Sequence, residues 1–124
     1  MLKVGGVLAI QDVLLPEDKR ADEYINSFYQ LGNVDFRRGY SESNWRGTFL
    51  DADFTVEQVQ LTRETLRLVE WAKTGSPYVL ERLQILLMQA PPAVREWLKP
   101  ACIGTADATF EQALIVIIGK KSRA

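Results

Sequence analysis

The stretch that most constrains the fold is a glycine pair that leads into a short apolar segment near the start of the sequence. Gly5-Gly6 is followed by Val7–Val13, which is rich in aliphatic residues and includes an acid, Asp12, near its end. The segment is too short for a helix and is typical of a strand buried on both faces inside a parallel sheet. Because such a strand needs a neighbour on each side and almost nothing precedes it, we expect the second half of a larger domain.

Composition excludes several classes of protein. The 124 residues suffice for one domain with its own core, and 47% apolar and 25% charged residues are ordinary for a globular chain. With 15 basic and 16 acidic side chains the net charge is -1, so we expect neither nucleic acid nor a membrane as partner. A single cysteine, Cys102, and no apolar run long enough to cross a bilayer fit a cytoplasmic protein.

The absence of histidine limits the chemistry of the chain. Without histidine there is no Ser-His or Cys-His nucleophile and no histidine base, and most zinc sites are excluded. We therefore expect no metal site, and any reaction would depend on carboxylates or on a cofactor that is already activated. Cys102 is interpreted as a structural or incidental thiol.

Periodicity and turn residues give an order of strand, helix, helix, strand, helical insertion and strand, which is typical of an α/β protein. The second strand loses its alternation in the middle, which predicts either a β-bulge or a strand with two apolar faces. The last strand, around Ile115–Ile118, is too apolar for a sheet edge. Strands are expected near residues 6–13, 54–61 and 113–119, and helices over 16–31, 41–53, 66–75, 77–89 and 93–98.

Aromatic and leucine side chains mark the expected core. Trp45, Phe49 and Phe54 are predicted to be buried against the sheet. For the helical insertion two interpretations stay open, because it has little sheet to pack on: its large apolar residues form either its own core or a surface for a partner. These residues are Trp71, Leu83, Leu87 and Trp97.

The motifs together resemble one known family. Leu2-Lys3-x-Gly5-Gly6-x-Leu8, a strand that includes Asp12, Ser41-x-x-x-Trp45 and Ala52-x-Phe54-Thr55-Val56 resemble the C-terminal half of class I S-adenosylmethionine-dependent methyltransferases, particularly the ubiquinone and menaquinone biosynthesis branch. The resemblance implies half of a Rossmann-like sheet with three strands, the last one antiparallel and inserted between the other two, plus a helical insertion. Asp53 stands where this family usually has a helix-ending glycine, and aspartate tolerates the left-handed conformation.

The resemblance also implies where the cofactor site lies. In this family S-adenosylmethionine is bound by the N-terminal half, through a glycine-rich turn and acids that follow the first strands. Residues 1–124 contain no Gly-x-Gly-x-x-Gly motif. We therefore expect a single partial methyltransferase domain without the cofactor-binding half, which binds no cofactor alone.

Six residues are candidates for substrate binding. Asp12 lies at the end of the first strand, where ligand sites cluster in such sheets, although it is equally interpreted as a cap on a nearby loop. The others would line a lid over a hydrophobic acceptor, or would form an ordinary surface loop packed by its aromatic residues. The candidates are Asp12, Phe28, Phe36, Arg37, Arg38 and Tyr40.

Two functions from different classes follow. The first is the C-terminal portion of a methyltransferase that acts on a small hydrophobic acceptor and is inactive as an isolated chain. The alternative is a non-enzymatic module, derived from such an enzyme, that dimerises or binds a ligand. The open edge of strand 6–13 predicts a homodimer through that edge or by exchanged elements, or pairing with a separate N-terminal half. A fragment produced by a misplaced start codon, a disrupted gene or proteolysis is a further alternative.

Overall fold

The computed structural model describes residues 3–72 and 76–122 of the chain. Its elements follow the predicted order of strand, helix, helix, strand, helical insertion and strand, so that prediction is confirmed. The elements are β1 (Val7–Val13), α1 (Lys19–Gly32), α2 (Glu42–Asp51), β2 (Phe54–Arg67), α3 (Leu68–Ala72), α4 (Pro77–Met88), α5 (Pro92–Leu98) and β3 (Thr109–Lys121).

The three strands form one sheet in the order β1-β3-β2, with β3 antiparallel to both neighbours. In the register, Ile117 of β3 lies opposite Ile10 on one side and Val59 on the other. The central position of the last strand confirms the expectation that it is too apolar for an edge. It also confirms the inserted antiparallel strand that the resemblance implied.

Two local predictions about β2 and its entry are confirmed. The register of β2 against β3 shifts between Val56 and Gln58, which is the expected bulge. Asp53, which connects α2 to β2, has a φ angle of 64° and so adopts the left-handed conformation in place of a glycine. Its carbonyl accepts hydrogen bonds from the backbone N–H and the hydroxyl of Ser122, which ties this turn to the end of β3.

The prediction that the first strand is buried on both faces of a parallel sheet is wrong for the described residues. Among them β1 pairs with β3 alone, in antiparallel orientation. Val7 is 61% exposed, and Ala9 and Gln11 are also exposed. The aliphatic residues of β1 reflect its propensity to form a strand. Whether that strand is buried depends on the elements that pack beside it, and the sequence pattern does not specify those.

The second and third strands are longer than predicted. β2 was expected to end near residue 61, but it continues to Arg67, which pairs with Thr109. Leu66, predicted to start a helix, therefore lies in the strand, and α3 begins only at Leu68. The ladder with β3 outweighs the weak helical pattern of this stretch. Gly75, the predicted end of that helix, lies outside the described residues.

Two hydrophobic clusters fill the protein. The larger packs α1, α3, α4 and α5 together, and the smaller packs α2 against the sheet face that carries Ile115 and Ile117. Phe49 and Phe54 are buried there and Trp45 is half-buried, which confirms the predicted core. Within the insertion Leu83 and Leu87 are fully buried, with Trp71 and Trp97 packed beside them, so the interpretation as a core is confirmed.

The other face of the sheet, which we call the open face, is only partly covered. Leu114, Val116 and Ile118 of the central strand point to this face and are half-buried. Nearer the start of β3, Phe110 points to the same face but is fully buried under Phe28 of α1 and Trp71 of α3. The helices therefore cover the open face only at the end of the sheet where β3 begins.

Candidate functional site

The ends of the strands define the region where a site is expected. β1 and β2 are both antiparallel to β3, so their carboxyl ends lie at the same edge of the sheet as the start of β3. In α/β sheets ligands bind at this carboxyl edge. The loop from α1 to α2, residues 33–41, also reaches it, because the Leu15 N–H donates to the Tyr40 carbonyl at 3.0 Å.

This loop is fastened to α1 by a polar network. The Arg38 guanidinium and the Asp22 carboxylate form an ion pair of 2.5 Å, in which the Asp22 side chain is only 10% exposed. The second Asp22 oxygen accepts a hydrogen bond from the Asn26 amide at 2.6 Å. The Asn26 oxygen in turn accepts the Gly39 N–H at 2.8 Å. The loop is therefore held in one position beside the carboxyl edge.

Asp12 is exposed near the end of β1 and bonds to its own strand. Its Oδ1 accepts the backbone N–H of Val13 at 2.7 Å. This N–H points away from β3, since the neighbouring Leu14 N–H is the one that donates to Ala113 across the ladder. The carboxylate thus caps the free edge of its own strand and not a nearby loop.

An aromatic cluster lies under the loop and against the sheet. Phe28 stacks on Trp71 with ring centroids 5.3 Å apart, and Tyr29 contacts both Phe36 and Phe110. The Tyr29 hydroxyl is buried and has no hydrogen-bond partner among the described residues. Burial raises the pKa of this phenol strongly, Arg63 opposes the shift and Glu64 adds to it. The phenol therefore stays protonated at physiological pH.

A wide groove of about 1020 Å³ opens beside this cluster. Its floor is the open face near the ends of β2 and the start of β3, and its walls are the end of α1, the following turn and α3. The lining residues are Leu31, Gly32, Asn33, Val34, Asp35, Glu64, Thr65, Leu66, Arg67, Glu70, Trp71, Ala72, Val79 and Gln112.

The structure distributes the six predicted substrate-binding residues over three places. Phe28 is fully buried in the aromatic cluster, with Phe36 half-buried at its rim. Arg38 belongs to the loop network, and Arg37 projects from the same loop without a hydrogen bond or ion pair to a described residue. Tyr40 packs edge-on against Trp45 and adjoins the end of β1 near Asp12. Their role in substrate binding stays a prediction.

Sequence reasoning missed the groove residues. Glu64 and Gln112 lie opposite each other in the β2–β3 register and are hydrogen-bonded at 3.1 Å, yet they are 48 residues apart. Asp35 follows α1, while Trp71 was interpreted only as core or partner surface. The one available signal was the run of polar residues in β2, Gln58, Gln60, Thr62 and Glu64, which share the open face.

The described residues provide neither a metal-binding cluster nor a membrane-spanning helix. Within residues 3–72 and 76–122, no cluster of three or more cysteine, aspartate or glutamate side chains is arranged to hold a metal ion. In the same part of the chain no helix combines the length and the apolar character needed to cross a membrane.

The fold and the carboxyl-edge groove define part of a Rossmann-like α/β domain with an inserted antiparallel strand. Two solved structures share this fold: a proposed methyltransferase of Bacillus halodurans C-125 (TM-score 0.88, 19% identity) and the YcgJ protein of Bacillus subtilis (TM-score 0.88, 22% identity). The similarity covers 98% and 99% of this chain, which spans only 58% and 54% of those chains. No protein-family model matches the sequence, and no curated protein matches it.

The chain therefore has the fold of a partial methyltransferase domain. This agrees with the C-terminal half that the glycine pair, the Ser41-x-x-x-Trp45 helix and the last strand resembled. At this level of sequence identity the comparison establishes the fold.

Proposed function

We propose that this chain is the C-terminal portion of an S-adenosylmethionine-dependent methyltransferase that acts on a small, hydrophobic acceptor. The observation that carries the proposal is the fold shared with the Bacillus halodurans protein over 98% of this chain. The groove and the aromatic cluster support it, because both lie at the carboxyl edge where α/β sheets bind ligands. Cytoplasmic location is part of the same proposal.

The described residues do not fit the cofactor by themselves. The strand-to-helix turn at the carboxyl edge, residues 14–18, contains no glycine. Glu17 accepts two hydrogen bonds from Ser43, and Asp18 caps α1 by accepting the Ala21 N–H. These contacts occupy the turn where a glycine-rich loop would approach a nucleotide. We therefore propose that the cofactor is bound by a separate N-terminal half and that this chain alone is inactive.

The edge of β1 is the proposed contact with the second polypeptide. Because Leu14 donates to Ala113 and Gly6 accepts from Lys121, the even-numbered residues of β1 direct their backbone toward β3. The N–H and C=O groups of Val7, Ala9 and Gln11 consequently point away from the sheet. Such a row of unpaired groups is a template for another strand.

The opposite edge of the sheet differs in ways that favour β1 as the contact. β2 carries a bulge at Val56/Gln58 and a run of polar and charged side chains, both of which protect an edge from pairing. β1 is regular against β3 and uncharged from Val7 to Gln11. The half-buried Val116 and Ile118 adjoin it on the open face, so a partner at β1 would also cover apolar surface.

A non-enzymatic dimerisation or ligand-binding module is the alternative function, and the same free edge favours it. Two copies could pair their β1 strands, or exchange elements, to form one larger sheet. In that case the second polypeptide is another copy of this chain, with no cofactor-binding half.

Calorimetric titration of the purified chain with S-adenosylhomocysteine, beside a light-scattering mass, separates these proposals. We expect no binding by the chain alone. A protein that joins this chain to an upstream glycine-rich strand-turn-helix unit, if the genome encodes one, should bind with micromolar affinity. Binding or methyl transfer by the chain alone would contradict its proposed inactivity, and failure of the joined protein to bind would contradict the methyltransferase proposal.

Association through β1 is tested by Ala9→Pro, which removes an outward N–H without breaking a β1–β3 hydrogen bond. If two copies pair through β1, as in the alternative function, we expect the wild-type chain to have twice the monomer mass and the variant to have the monomer mass, with little change in thermal stability. Leu61→Pro is the matched control on β2: Leu61 lies opposite Ile115, whose backbone is turned to β1, so its own N–H also points outward. If Leu61→Pro dissociates the dimer and Ala9→Pro does not, the interface has been assigned to the wrong edge.

A further inference from the structure

The charges around the groove are unbalanced. Among the described lining residues three are acidic, Asp35, Glu64 and Glu70, and one is basic, Arg67. The Arg67 guanidinium is 2.9 Å from Glu70 and 3.5 Å from Asp107, so its charge is already shared between two carboxylates. The two remaining carboxylates in the groove therefore have no cationic partner among residues 3–72 and 76–122.

Glu64 on the floor of the groove and Asp35 on its wall are both available to a ligand. One Glu64 oxygen accepts the Gln112 amide, but Glu64 forms no ion pair with a described residue. The Asp35 carboxylate forms neither a hydrogen bond nor an ion pair with one. The field of Glu64 extends to the buried Tyr29 phenol, whose pKa is raised chiefly by burial and additionally by this carboxylate.

Part of the groove lining is apolar. Trp71 forms part of the wall, with its ring against Phe28 and against the backbone of Gly32, and Leu31, Leu66 and Val79 extend the same surface. An aromatic or aliphatic body can therefore pack here while its charged end remains at the acidic rim. Anionic ligands are disfavoured, since the rim would repel them.

We propose that the groove binds an organic ammonium ion with an aromatic or aliphatic body. Asp35 and Glu64 bind the cation through their carboxylates. The Trp71 side of the groove holds the apolar part of the ligand. The face of an aromatic ring also attracts a nearby cation, so Trp71 does not disfavour the ammonium group. The proposal deepens the proposed function by describing the acceptor as a molecule that carries an ammonium group, and that identification rests on the proposed function. The binding site itself does not depend on it.

Three indole compounds of similar size and different charge test the site: tryptamine, the neutral tryptophol and the anionic indole-3-acetate. Each is titrated into the uniformly ¹⁵N-labelled chain without cofactor, and backbone amide shifts are followed by NMR. We expect tryptamine to shift the amides of Asp35, Thr65 and Gln112, to bind at least threefold more tightly than tryptophol, and indole-3-acetate to bind weakest. Equal binding of the three compounds, or shifts confined to other surfaces, would overturn the proposal.

Isosteric variants assign the charge preference to the two carboxylates. Glu64→Gln and Asp35→Asn should each weaken tryptamine binding about threefold, as expected for a partly exposed ion pair. The double variant should bind tryptamine and tryptophol equally. Glu81→Gln, on the exposed side of α4 and outside the groove, is the matched control and should leave the preference unchanged. A preference that survives the double variant would contradict the assignment.

These outcomes are independent of catalysis. Tryptamine binding by a chain whose joined form fails to bind S-adenosylhomocysteine would leave the ammonium site standing and would refute the methyltransferase proposal. If the joined form binds the cofactor but the groove shows no charge preference, the methyltransferase proposal stands and the ammonium site is refuted.

Discussion

The Trp71 ring leaves no room for a side chain at Gly32, which ends α1 directly beneath that ring. A Cβ atom built at Gly32 would overlap Cζ3 and Cη2 of the Trp71 ring. The ring cannot retreat easily, because Phe28 stacks on it and Phe110 contacts its edge. The glycine therefore allows α1 and α3 to meet closely along the wall of the groove.

Gly32→Ala should destabilise the protein by about 1–3 kcal/mol, because a methyl group overpacks the contact with Trp71. The measurement is urea unfolding followed by circular dichroism. Gly47→Ala is the matched control: Gly47 lies inside α2 with open space around its Cα, so alanine should stabilise by roughly 0.5–1 kcal/mol through helix propensity. If Gly32→Ala leaves the free energy of unfolding unchanged, or raises it as Gly47→Ala should, the close contact between Gly32 and Trp71 is disproved.

Asn26→Ala should release the loop from α1, because the Gly39 N–H would lose its only acceptor within the described chain. We expect a loss of about 1–3 kcal/mol in the free energy of unfolding, since the group left behind is buried. Hydrogen exchange of the Gly39 amide should also become faster. Ser27→Ala, one position along the same helix and exposed, should change neither quantity by more than the error of measurement.

At the scale of elements, the start of α2 is joined to the turn after β1. Ser41 caps α2 by a capping box with Asn44. Ser43, in the first turn, donates its hydroxyl to Glu17 at 2.6 Å and its N–H at 3.1 Å. A carboxylate at the beginning of a helix is favoured by the helix dipole as well as by these bonds. This contact holds the turn before α1 against α2.

The pH dependence of stability should report this junction. The Ser43 hydroxyl lowers the pKa of Glu17 below its ordinary value of 4.5; burial opposes the shift and the Ser43 N–H assists it. Because the folded pKa is lowered, the stabilisation is present above pH 4.5 and is lost as the pH falls through the folded value. The free-energy difference between wild type and Glu17→Gln should therefore be largest near pH 7 and should shrink in acid.

Ser43→Ala serves as the second variant for this junction, because it removes the donor and leaves the carboxyl in place. It should lose stability over the same pH range as Glu17→Gln. A difference from wild type that stays constant between pH 7 and pH 3 in both variants would show that the hydrogen bonds do not act through the charge of Glu17.

At the scale of the whole molecule, the two hydrophobic clusters behave as one unit because Trp97 packs against both. The Arg63 guanidinium lies 4.9 Å from the centroid of the Trp97 ring and donates to the Trp97 carbonyl at 2.6 Å. The insertion is thereby attached to β2 as well as to α1. We expect the chain to unfold in a single transition despite its uneven sheet coverage.

Leu83→Ala should cost about 2–5 kcal/mol, because Leu83 is fully buried between α4 and the other helices. If the clusters form one unit, tryptophan fluorescence and far-ultraviolet circular dichroism should report the same lowered midpoint in urea. Met88→Ala, half exposed on the same helix, should change stability by about 0.5 kcal/mol or less. Two separate transitions in the Leu83 variant would show that the clusters unfold independently.

The candidate site was predicted less completely than the fold. The sequence indicated the loop of Phe36 to Tyr40 and the strand end at Asp12, and the structure places both at the carboxyl edge. The groove was not predicted, because Asp35, Glu64 and Gln112 come from three separate segments of the chain. Side chains so far apart in sequence form a site only after the register between β2 and β3 is fixed.

What the sequence determined by itself was local: the order of the elements, the bulge after Val56 and the left-handed turn at Asp53. These features depend on neighbours within a few residues, whose steric and hydrogen-bonding preferences are present in any conformation of the chain. The tertiary structure decided how far β2 extends, which side of β1 is free and which carboxylates share the groove. Those three features depend on contacts between segments that are distant in the sequence. The energies of such contacts exist only once the sheet has formed, and they then outweigh weak local preferences.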